Sequence, residues 1–228
     1  MTDTPTALSP GQGAAAPAAL SSLDYFLIDG SGSMKSKWWE CLAALDNYIE
    51  IVNGSGVSTR AIAHVFDTTN MEFIQRDGKL AEWPKNTEHP LVGHWGGTPL
   101  YDAINLMGRR LAALNPTKAT IVIVTDGEET DSQYTTVQEA RTILDWCRAQ
   151  GWAVVFLGAN FANSAQAKAL GADESNAIGV RRELLAEAGS LLGRKRAAFA
   201  NGADDINFSA DERAHFGGYL TDRSGGGK

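Results

Sequence analysis

The sequence predicts an α/β domain built on a largely parallel sheet. Apolar, strand-like runs alternate with segments of helical period along most of the chain, which is the pattern of βα units. Two of the strand-like runs are separated by a link too short for a crossover helix. We therefore expect a Rossmann-like central sheet, mostly parallel with one antiparallel edge strand, and helices on both faces.

The strand predictions rest on short runs of apolar and β-branched residues bounded by turn residues. Val57–Phe66 and Met71–Gln75 flank the short link Asp67–Asn70, so they should form an antiparallel hairpin at one edge of the sheet. The other predicted strands are Leu23–Ile28, Ala119–Val124, Trp152–Leu157 and Asn176–Ile178.

The helix predictions rest on apolar residues spaced three and four apart. Pro99 suits the first position of a helix, because the N–H that proline lacks would have no partner there. Gly54 and Gly151 follow two of the periodic segments and are typical helix stops. The predicted helices are Ser36–Val52, Pro99–Leu114, Thr136–Gln150, Asn163–Leu170 and Arg181–Ala200.

Length and composition predict one domain with loosely ordered ends. The chain has 228 residues, 43% of them hydrophobic, which is enough for one substantial core. Residues 1–21 are rich in Pro, Ala, Gly, Ser and Thr, so we expect a flexible segment before a domain at 22–202. The segment 203–228 should be a partly ordered tail. Three aromatic side chains of this tail could pack against the domain: Phe208, Phe216 and Tyr219.

Charge and cysteine content disfavour several classes of protein. A net charge of −7 argues against a nucleic-acid binder, which normally presents a basic face. No apolar run approaches the length of about 20 residues that a bilayer-spanning helix needs, and the first residues lack the pattern of a signal peptide. We therefore expect no membrane contact and a cytoplasmic protein, with a virion component as the alternative. Cys41 and Cys147 have no metal-binding or redox spacing and should be buried, reduced thiols on helices.

Three polar motifs fall at the predicted carboxyl ends of strands or just before a helix: Asp29–Ser33, Gly96–Pro99 and Thr125–Glu129. Ligands of open α/β sheets bind at that edge, so the three motifs should converge on one crevice. Their carboxylates and hydroxyls make an all-oxygen set, which suits a hard cation such as Mg²⁺ or Mn²⁺, with Ca²⁺ as a further option, and disfavours zinc. The candidate metal ligands are Asp29, Ser31, Ser33, Thr98 and Asp126.

On these motifs the chain resembles a von Willebrand factor A domain, also called the integrin I-domain fold, with an intact metal-ion-dependent adhesion site. The DxSxS sequence at Asp29–Ser33, the single Thr98 and the TDG aspartate Asp126 occur in the order typical of that family. The resemblance spans Leu23–Ala200 and implies the strand order 3-2-1-4-5-6.

The resemblance also implies how such a site works. The hydroxyls of Ser31, Ser33 and Thr98 would coordinate the metal directly or through water, and so would the carboxylates of Asp29 and Asp126. An acidic side chain of a partner then completes the octahedral shell, because Mg²⁺ usually keeps exchangeable positions. In relatives, ligand engagement can shift the metal toward the threonine and move the last helix.

These features predict a divalent-metal-dependent protein-binding module, an adaptor or assembly subunit, and not an enzyme. No convincing pair of nucleophile and base accompanies the site. The resemblance implies a protein partner that offers Asp or Glu, such as an AAA+ ATPase or an assembly component. Two alternatives stay open: a structural component of a larger assembly such as a phage particle, and a metal-assisted hydrolase with His94 or Glu128 as its base.

Further side chains flank the predicted site. His94 and Trp95 precede Thr98 and are candidates, together with Glu128, for contacting the partner. Of the pair Trp38–Trp39, one ring should pack in the core and the other should face outward, where an exposed Trp suits an interface.

Other charged residues have a structural interpretation. Glu128, Glu129 and Asp131 suit a helix N-terminus, which favours acidic side chains. The basic clusters Arg181–Arg182 and Arg194–Arg196 are interpreted as solvated helix faces, because runs of charge usually face water.

Overall fold

The computed structural model describes residues 20–126, 129–158 and 165–217. Within these ranges strands and helices alternate except at the second and third strands and at the last two helices, and a 3-10 turn at Gly32–Lys37 joins the first strand to the first helix. The strands are β1 (Leu23–Asp29), β2 (Arg60–Phe66), β3 (Ile74–Lys79), β4 (Ala119–Val124), β5 (Ala153–Gly158) and β6 (Ala177–Gly179). The helices are α1 (Trp38–Gly54), α2 (Leu100–Leu114), α3 (Val137–Ala149), α4 (Ala165–Ala169), α5 (Leu185–Ala200) and α6 (Ala210–Gly217).

The described strands form one sheet in the order β3-β2-β1-β4-β5-β6. β2 and β3 run antiparallel, and every other neighbouring pair is parallel. β1 is central, with Leu23 paired to Arg60 of β2 on one side and to Ala119 of β4 on the other. The predicted fold class, the antiparallel edge pair and the strand order are therefore confirmed.

The edge strand β3 begins at Ile74, later than the predicted Met71. The carbonyl of Met71 accepts a hydrogen bond from the buried His64 ring (Nε2 to O, 2.7 Å), which holds Met71 in the loop. β3 uses a polar sequence instead, and its Asp77 pairs with Arg60 of β2 at 2.7 Å. An exposed edge strand tolerates such polar residues. The prediction followed the apolar residues only, and therefore began the strand too early in the chain.

The helices cover both faces of the sheet, and each face has its own apolar core. α1 and α5 pack on one face, and α2 and α3 pack on the other. Alternate residues of β1 enter the two cores: Phe26 and Ile28 face α1 and α5, whereas Tyr25 and Leu27 face α2 and α3. β1 and β4 are buried along their whole lengths, as expected for parallel strands between two helical layers.

Helix α1 begins at Trp38 because the 3-10 turn takes up the first residues of the predicted helix. Trp38 is buried, and its indole N–H donates to the carbonyl of Leu91 at 2.9 Å. Trp39 is 63% exposed. The prediction that one ring of this pair packs inside and the other faces outward is confirmed.

The basic cluster Arg194–Arg196 is not wholly a solvated face, and the prediction was wrong for Arg196. Its guanidinium is fully buried and pairs with Asp24 of β1 at 2.6 Å. The hydroxyl of Tyr48 donates to the same carboxylate at 2.9 Å. A run of charges in the sequence does not reveal that one member faces a buried carboxylate on a distant strand.

The C-terminal segment contains α6, which the sequence pattern did not predict. Phe208 and Phe216 are buried against the domain, and the N–H of Arg181 donates to the carbonyl of Phe216 at 2.9 Å. Most of the segment predicted to be flexible, namely residues 1–19, lies outside the described residues, as do residues 218–228 with Tyr219.

The two cysteines are free thiols on helices, as predicted; Cys147 is buried as expected, whereas Cys41 is half-buried. Burial raises the pKa of both Cys41 and Cys147 to about 12, so both thiols stay protonated and unreactive at neutral pH. In the part of the chain that the structure describes, no helix is both long and apolar enough to cross a membrane.

Candidate metal centre

Asp29 ends β1 at the carboxyl edge of the sheet and is completely buried. One carboxylate oxygen accepts the backbone N–H of Ser31 at 2.8 Å, and the other accepts the hydroxyl of Thr125 at 2.8 Å. Burial raises the pKa of Asp29 above its ordinary value, and the hydrogen bonds from Ser31 and Thr125 oppose that shift. The carboxylate is therefore held in one orientation by neighbours from two strand ends.

The loop after Asp29 is joined by its backbone to two other loops. The N–H of Gly30 donates to the carbonyl of Phe66 at 2.8 Å, and the carbonyl of Gly30 accepts from Trp95 at 2.9 Å. The N–H of Gly32 donates to the carbonyl of Gly96 at 2.9 Å. Trp95 has a φ of 67°, a left-handed conformation unusual for a large side chain. The first and second motifs, Asp29–Ser33 and Gly96–Pro99, are thus joined by main-chain hydrogen bonds.

A continuous set of oxygens connects the first and third motifs. The hydroxyls of Ser31 and Ser33 lie 3.1 Å apart, and Ser33 donates to Asp126 Oδ1 at 2.7 Å. Neighbouring ligands of an octahedral Mg²⁺ shell, at about 2.0–2.1 Å from the ion, lie about 2.9 Å from each other. The donor types and the spacing of these oxygens therefore fit a small divalent cation.

Lys37 brings a positive charge into this set, which the sequence analysis did not anticipate. Its ammonium pairs with Asp126 Oδ2, and the carboxylate side chain is only 3% exposed. The 3-10 turn directs Lys37 there, whereas an α-helix beginning at Ser36 gave no reason to expect it. Asp126 therefore contacts a hydroxyl through one oxygen and an ammonium through the other.

Thr98 lies in the adjoining loop but is not hydrogen-bonded to the other four candidates. Among the described residues its hydrogen bonds are made by the backbone, whose N–H donates to Thr130 Oγ1 and Asp131 Oδ2, both at 3.1 Å. Thr98 is buried, with 5% of its surface exposed. The structure brings together Asp29, Ser31, Ser33 and Asp126 and places Thr98 beside them.

The acidic residues after Asp126 hold the neighbouring backbone. Glu129 accepts the N–H of Tyr101, in the first turn of α2, at 3.0 Å, and the hydroxyl of Ser132 at 2.7 Å. Asp131 accepts the N–H of Thr98. These contacts agree with the structural interpretation of Glu129 and Asp131, because free N–H groups at a helix start favour carboxylates.

Asp67 is a residue of this edge that the sequence analysis did not single out. It follows β2 directly, is 1% exposed, and accepts the backbone N–H groups of Thr69 and Asn70 at 2.7 and 2.9 Å. Its other oxygen faces the N–H of Gly96 at 3.5 Å. Its place just after a buried strand, like that of Asp29, was the available signal.

Two of the three candidate partner-contacting residues lie on this rim. His94 is exposed, with Nδ1 3.9 Å from Asp67 Oδ2. The Trp95 ring packs edge-on against Trp38 at 5.4 Å. Glu128 lies outside the described residues. Among the described residues, no three His, Cys, Asp or Glu side chains lie close enough together to hold a metal ion. A cation at this site therefore depends on hydroxyl ligands.

The sequence matches no protein-family model and no curated protein, but solved structures share the fold. The vWF domain of the type V pili tip protein Mfa5 from Porphyromonas gingivalis has a TM-score of 0.58 at 12% identity, over 81% of this chain and 96% of that one. A von Willebrand factor type A structure from Catenulispora acidiphila has a TM-score of 0.57 at 13% identity, over 78% and 43%. Proximal thread matrix protein 1 from the mussel byssus has a TM-score of 0.51 at 14% identity, over 78% and 47%.

The fold of this chain is therefore that of a von Willebrand factor type A domain. The chain spans less than half the length of the byssal and Catenulispora proteins that it resembles. At identities of 12–14% the similarity concerns the fold, and function has to be argued from the site.

Proposed function

We propose that this chain is a divalent-metal-dependent protein-binding module, used as an adaptor or an assembly subunit. One observation carries the proposal: Asp29, Ser31, Ser33 and Asp126 form a connected set of oxygens at the carboxyl edge of the sheet. Such a donor set favours a hard cation, and that edge is where open α/β sheets bind ligands.

In this proposal the hydroxyls of Ser31 and Ser33 and the carboxylate of Asp126 hold Mg²⁺, with Mn²⁺ or Ca²⁺ as substitutes. Asp29 orients the loop from behind, and Thr98 contributes its hydroxyl when a partner is engaged. The bound ion supplies positive charge and exchangeable positions, one of which a partner's Asp or Glu fills. The partner is a protein with an acidic residue at the centre of its interface, for which an AAA+ ATPase or an assembly component are the candidates.

We assign binding rather than catalysis to the site. A metal-assisted hydrolase needs a general base within reach of the metal-bound water. Of the two candidate bases, His94 faces the buried Asp67, and Glu128 lies outside the described residues. The relatives by fold include a pilus tip protein and a byssal thread matrix protein, which supports a role in adhesion or assembly.

Calorimetry with Mg²⁺ and Mn²⁺ tests the metal. We expect one ion per chain and a rise in thermal stability on binding, because the ion binds the folded state. The double variant Ser31→Ala/Ser33→Ala removes two ligands without changing charge and should lose most of the binding. Ser190→Ala on α5, where the hydroxyl bonds within its own helix, is the matched control. Equal affinity in the parent and the double variant would refute the site.

The partner is tested by affinity capture from native lysate with and without EDTA, followed by titration of the captured protein. The free energy of unfolding of Thr98→Ala should lie within about 1 kcal/mol of the parent's, because the hydrogen bonds of Thr98 to described residues are made by its backbone. The variant should nevertheless weaken partner binding about as much as chelation does. Replacing the partner's central Glu or Asp by Gln or Asn should have the same effect.

An assembly subunit whose metal merely stabilises a loop is the second candidate, favoured by the pilus and byssus relatives. Asp126→Asn distinguishes the two roles. An adaptor of the proposed kind loses its partner in this variant, whereas a structural subunit still assembles. Equal partner affinity for parent and Thr98→Ala protein, in Mg²⁺ and in EDTA alike, would place the binding face elsewhere on the domain.

A further inference from the structure

The exposed large apolar side chains are concentrated at one edge of the domain. The described part of the chain contains four of them. Three lie on segments that leave the carboxyl ends of β1, β2 and β4, and Val92 lies where the loop after β3 is hydrogen-bonded to Gln75, near the start of β3. None lies on the described loops of the opposite edge. Apolar side chains gathered beside a polar site are typical of protein interfaces. The four are Trp39, Phe73, Val92 and Tyr134, with exposures of 63%, 48%, 51% and 85%.

Phe73 and Val92 belong to one structural unit with His94, which we name the Phe73 corner. The rings of Phe73 and His94 meet edge to face at 6.1 Å. The Gln75 side chain accepts the N–H of Val92 at 2.6 Å and donates to its carbonyl at 2.5 Å, which ties that loop to β3. Trp39 and Tyr134, by contrast, make no aromatic contact with other described residues. The Phe73 corner is therefore the fixed apolar surface of this edge.

The corner adjoins the candidate metal centre through short connections. His94 faces Asp67, and Asp67 in turn faces the N–H of Gly96. Trp95, which lies between His94 and Gly96 in the sequence, donates its backbone N–H to the carbonyl of Gly30 in the loop after Asp29. The corner and the site are thus held on the same set of linked loops.

The lysines on the turn that follows Ser31 favour an acidic ligand. Lys35 is exposed, its ammonium lies 5.9 Å from the centre of the Trp95 ring, and it has no ion-pair partner among the described residues. Lys37 is close by, paired with Asp126. The positive charges of Lys35 and Lys37, on the turn that follows Ser31, attract a carboxylate.

From this placement we propose that the partner's recognition segment carries a large apolar residue close to its acidic residue, and that the Phe73 corner binds it. The carboxylate is taken by the metal and Lys35, and the apolar side chain packs on Phe73 and Val92. Because the corner and the site lie on linked loops, we take the two residues to lie within about four positions of each other, a stretch of about 13 Å in an extended chain. The inference rests on the proposed function and specifies the chemistry of its partner.

A random dodecapeptide library, displayed and selected on the full chain in Mg²⁺, tests this proposal. Enriched peptides should contain Asp or Glu with Phe, Leu, Ile or Trp within four positions. A synthetic peptide of the enriched sequence should then bind Phe73→Ser and Val92→Ser about fivefold more weakly or worse. Trp39→Ser and Tyr134→Ser are the control variants. Both positions lie at the same edge and are more exposed than Phe73 and Val92, and both variants should bind within about twofold of the parent.

The possible results distinguish a failure of this inference from a failure of the proposed function. Enrichment of acidic peptides without an apolar neighbour, or unchanged affinity in Phe73→Ser and Val92→Ser, overturns the role of the corner and leaves the metal-dependent binding module standing. Absence of any acidic, EDTA-sensitive peptide overturns both. Selection of apolar peptides that bind equally in EDTA shows instead a hydrophobic surface unrelated to the cation.

Discussion

The guanidinium of Arg196 on α5 pairs with the carboxylate of Asp24 on β1 at 2.6 Å, and neither side chain is exposed to solvent. Tyr48 of α1 donates its hydroxyl to the same carboxylate, and Ser22 accepts a second guanidinium N–H at 2.7 Å. Two helices and the central strand are therefore joined by one buried polar group. Removing one partner of a buried ion pair leaves the other charge unpaired in the protein interior, which solvates it poorly.

Replacing Arg196 by Met should destabilise the fold by about 3–5 kcal/mol, because Asp24 is left as an uncompensated buried charge. Denaturant unfolding measures the loss. Arg194→Met, at an exposed position of the same helix, should change stability by less than about 0.5 kcal/mol. Adding Asp24→Asn to Arg196→Met should recover part of the loss, since the amide still accepts from Tyr48 and carries no charge. A double variant less stable than the single one would contradict this account.

The same ion pair predicts that α5 keeps its position when the candidate site is engaged. A slide of one helical turn, about 5.4 Å, would separate Arg196 from Asp24. Hydrogen exchange of the α5 amides should therefore be unchanged by Mg²⁺ and partner, apart from a uniform slowing by global stabilisation. Faster exchange confined to α5 would instead indicate the helix movement that the family resemblance implies.

His64 should make the fold sensitive to acid. Burial lowers the pKa of this imidazole to about 4, from an ordinary value of 6.5. The unfolded chain then takes up the proton first, so stability is complete above pH about 6.5 and falls as the pH drops toward 4, by about 3 kcal/mol in all. Unfolding measured across this range should show a smaller slope in His64→Gln than in the parent.

Lys37 should weaken the binding of the divalent ion. Its ammonium holds one oxygen of Asp126, and an ion that binds there displaces it and experiences its repulsion. Lys37→Met should therefore tighten Mg²⁺ binding by up to about fivefold, the equivalent of the about 1 kcal/mol that a partly exposed ion pair contributes. Calorimetric titration provides the measurement, with Lys79→Met, paired to Glu82 away from the site, as the control. Weaker binding in Lys37→Met would mean that the lysine supports the site.

Gly189 should be intolerant of alanine. A Cβ there would lie 2.0 Å from the carbonyl oxygen of Ala44, so α1 and α5 would have to separate. Gly189→Ala should cost at least about 1–3 kcal/mol, in the range of overpacked cores. A Cβ on Gly54, at the end of α1, meets nothing within 4 Å, and Gly54→Ala should leave stability unchanged or raise it slightly. Similar thermal midpoints for the two variants would contradict the close approach of these helices.

Local pattern was enough to predict the order and type of most elements. The apolar run of β4 and the periodic segment of α2 each carry their signal within a few residues. The short link after β2 excluded a crossover helix, and so predicted the antiparallel edge. The polar edge strand β3 and the terminal helix α6 lack such a signal, because exposed or loosely packed elements place little demand on side-chain hydrophobicity.

The sequence by itself determined which residues can supply oxygens at the carboxyl edge, since Asp29 and Asp126 follow strands whose apolar character is unmistakable. Tertiary structure decided what those residues touch. The pairing of Lys37 with Asp126 depends on a 3-10 turn, the capping of two loops by Asp67 depends on the folded path of both, and the burial of Arg196 depends on a carboxylate far away in the chain. Such contacts join distant segments in space, so their energies come from packing and burial, which no local pattern of residues encodes.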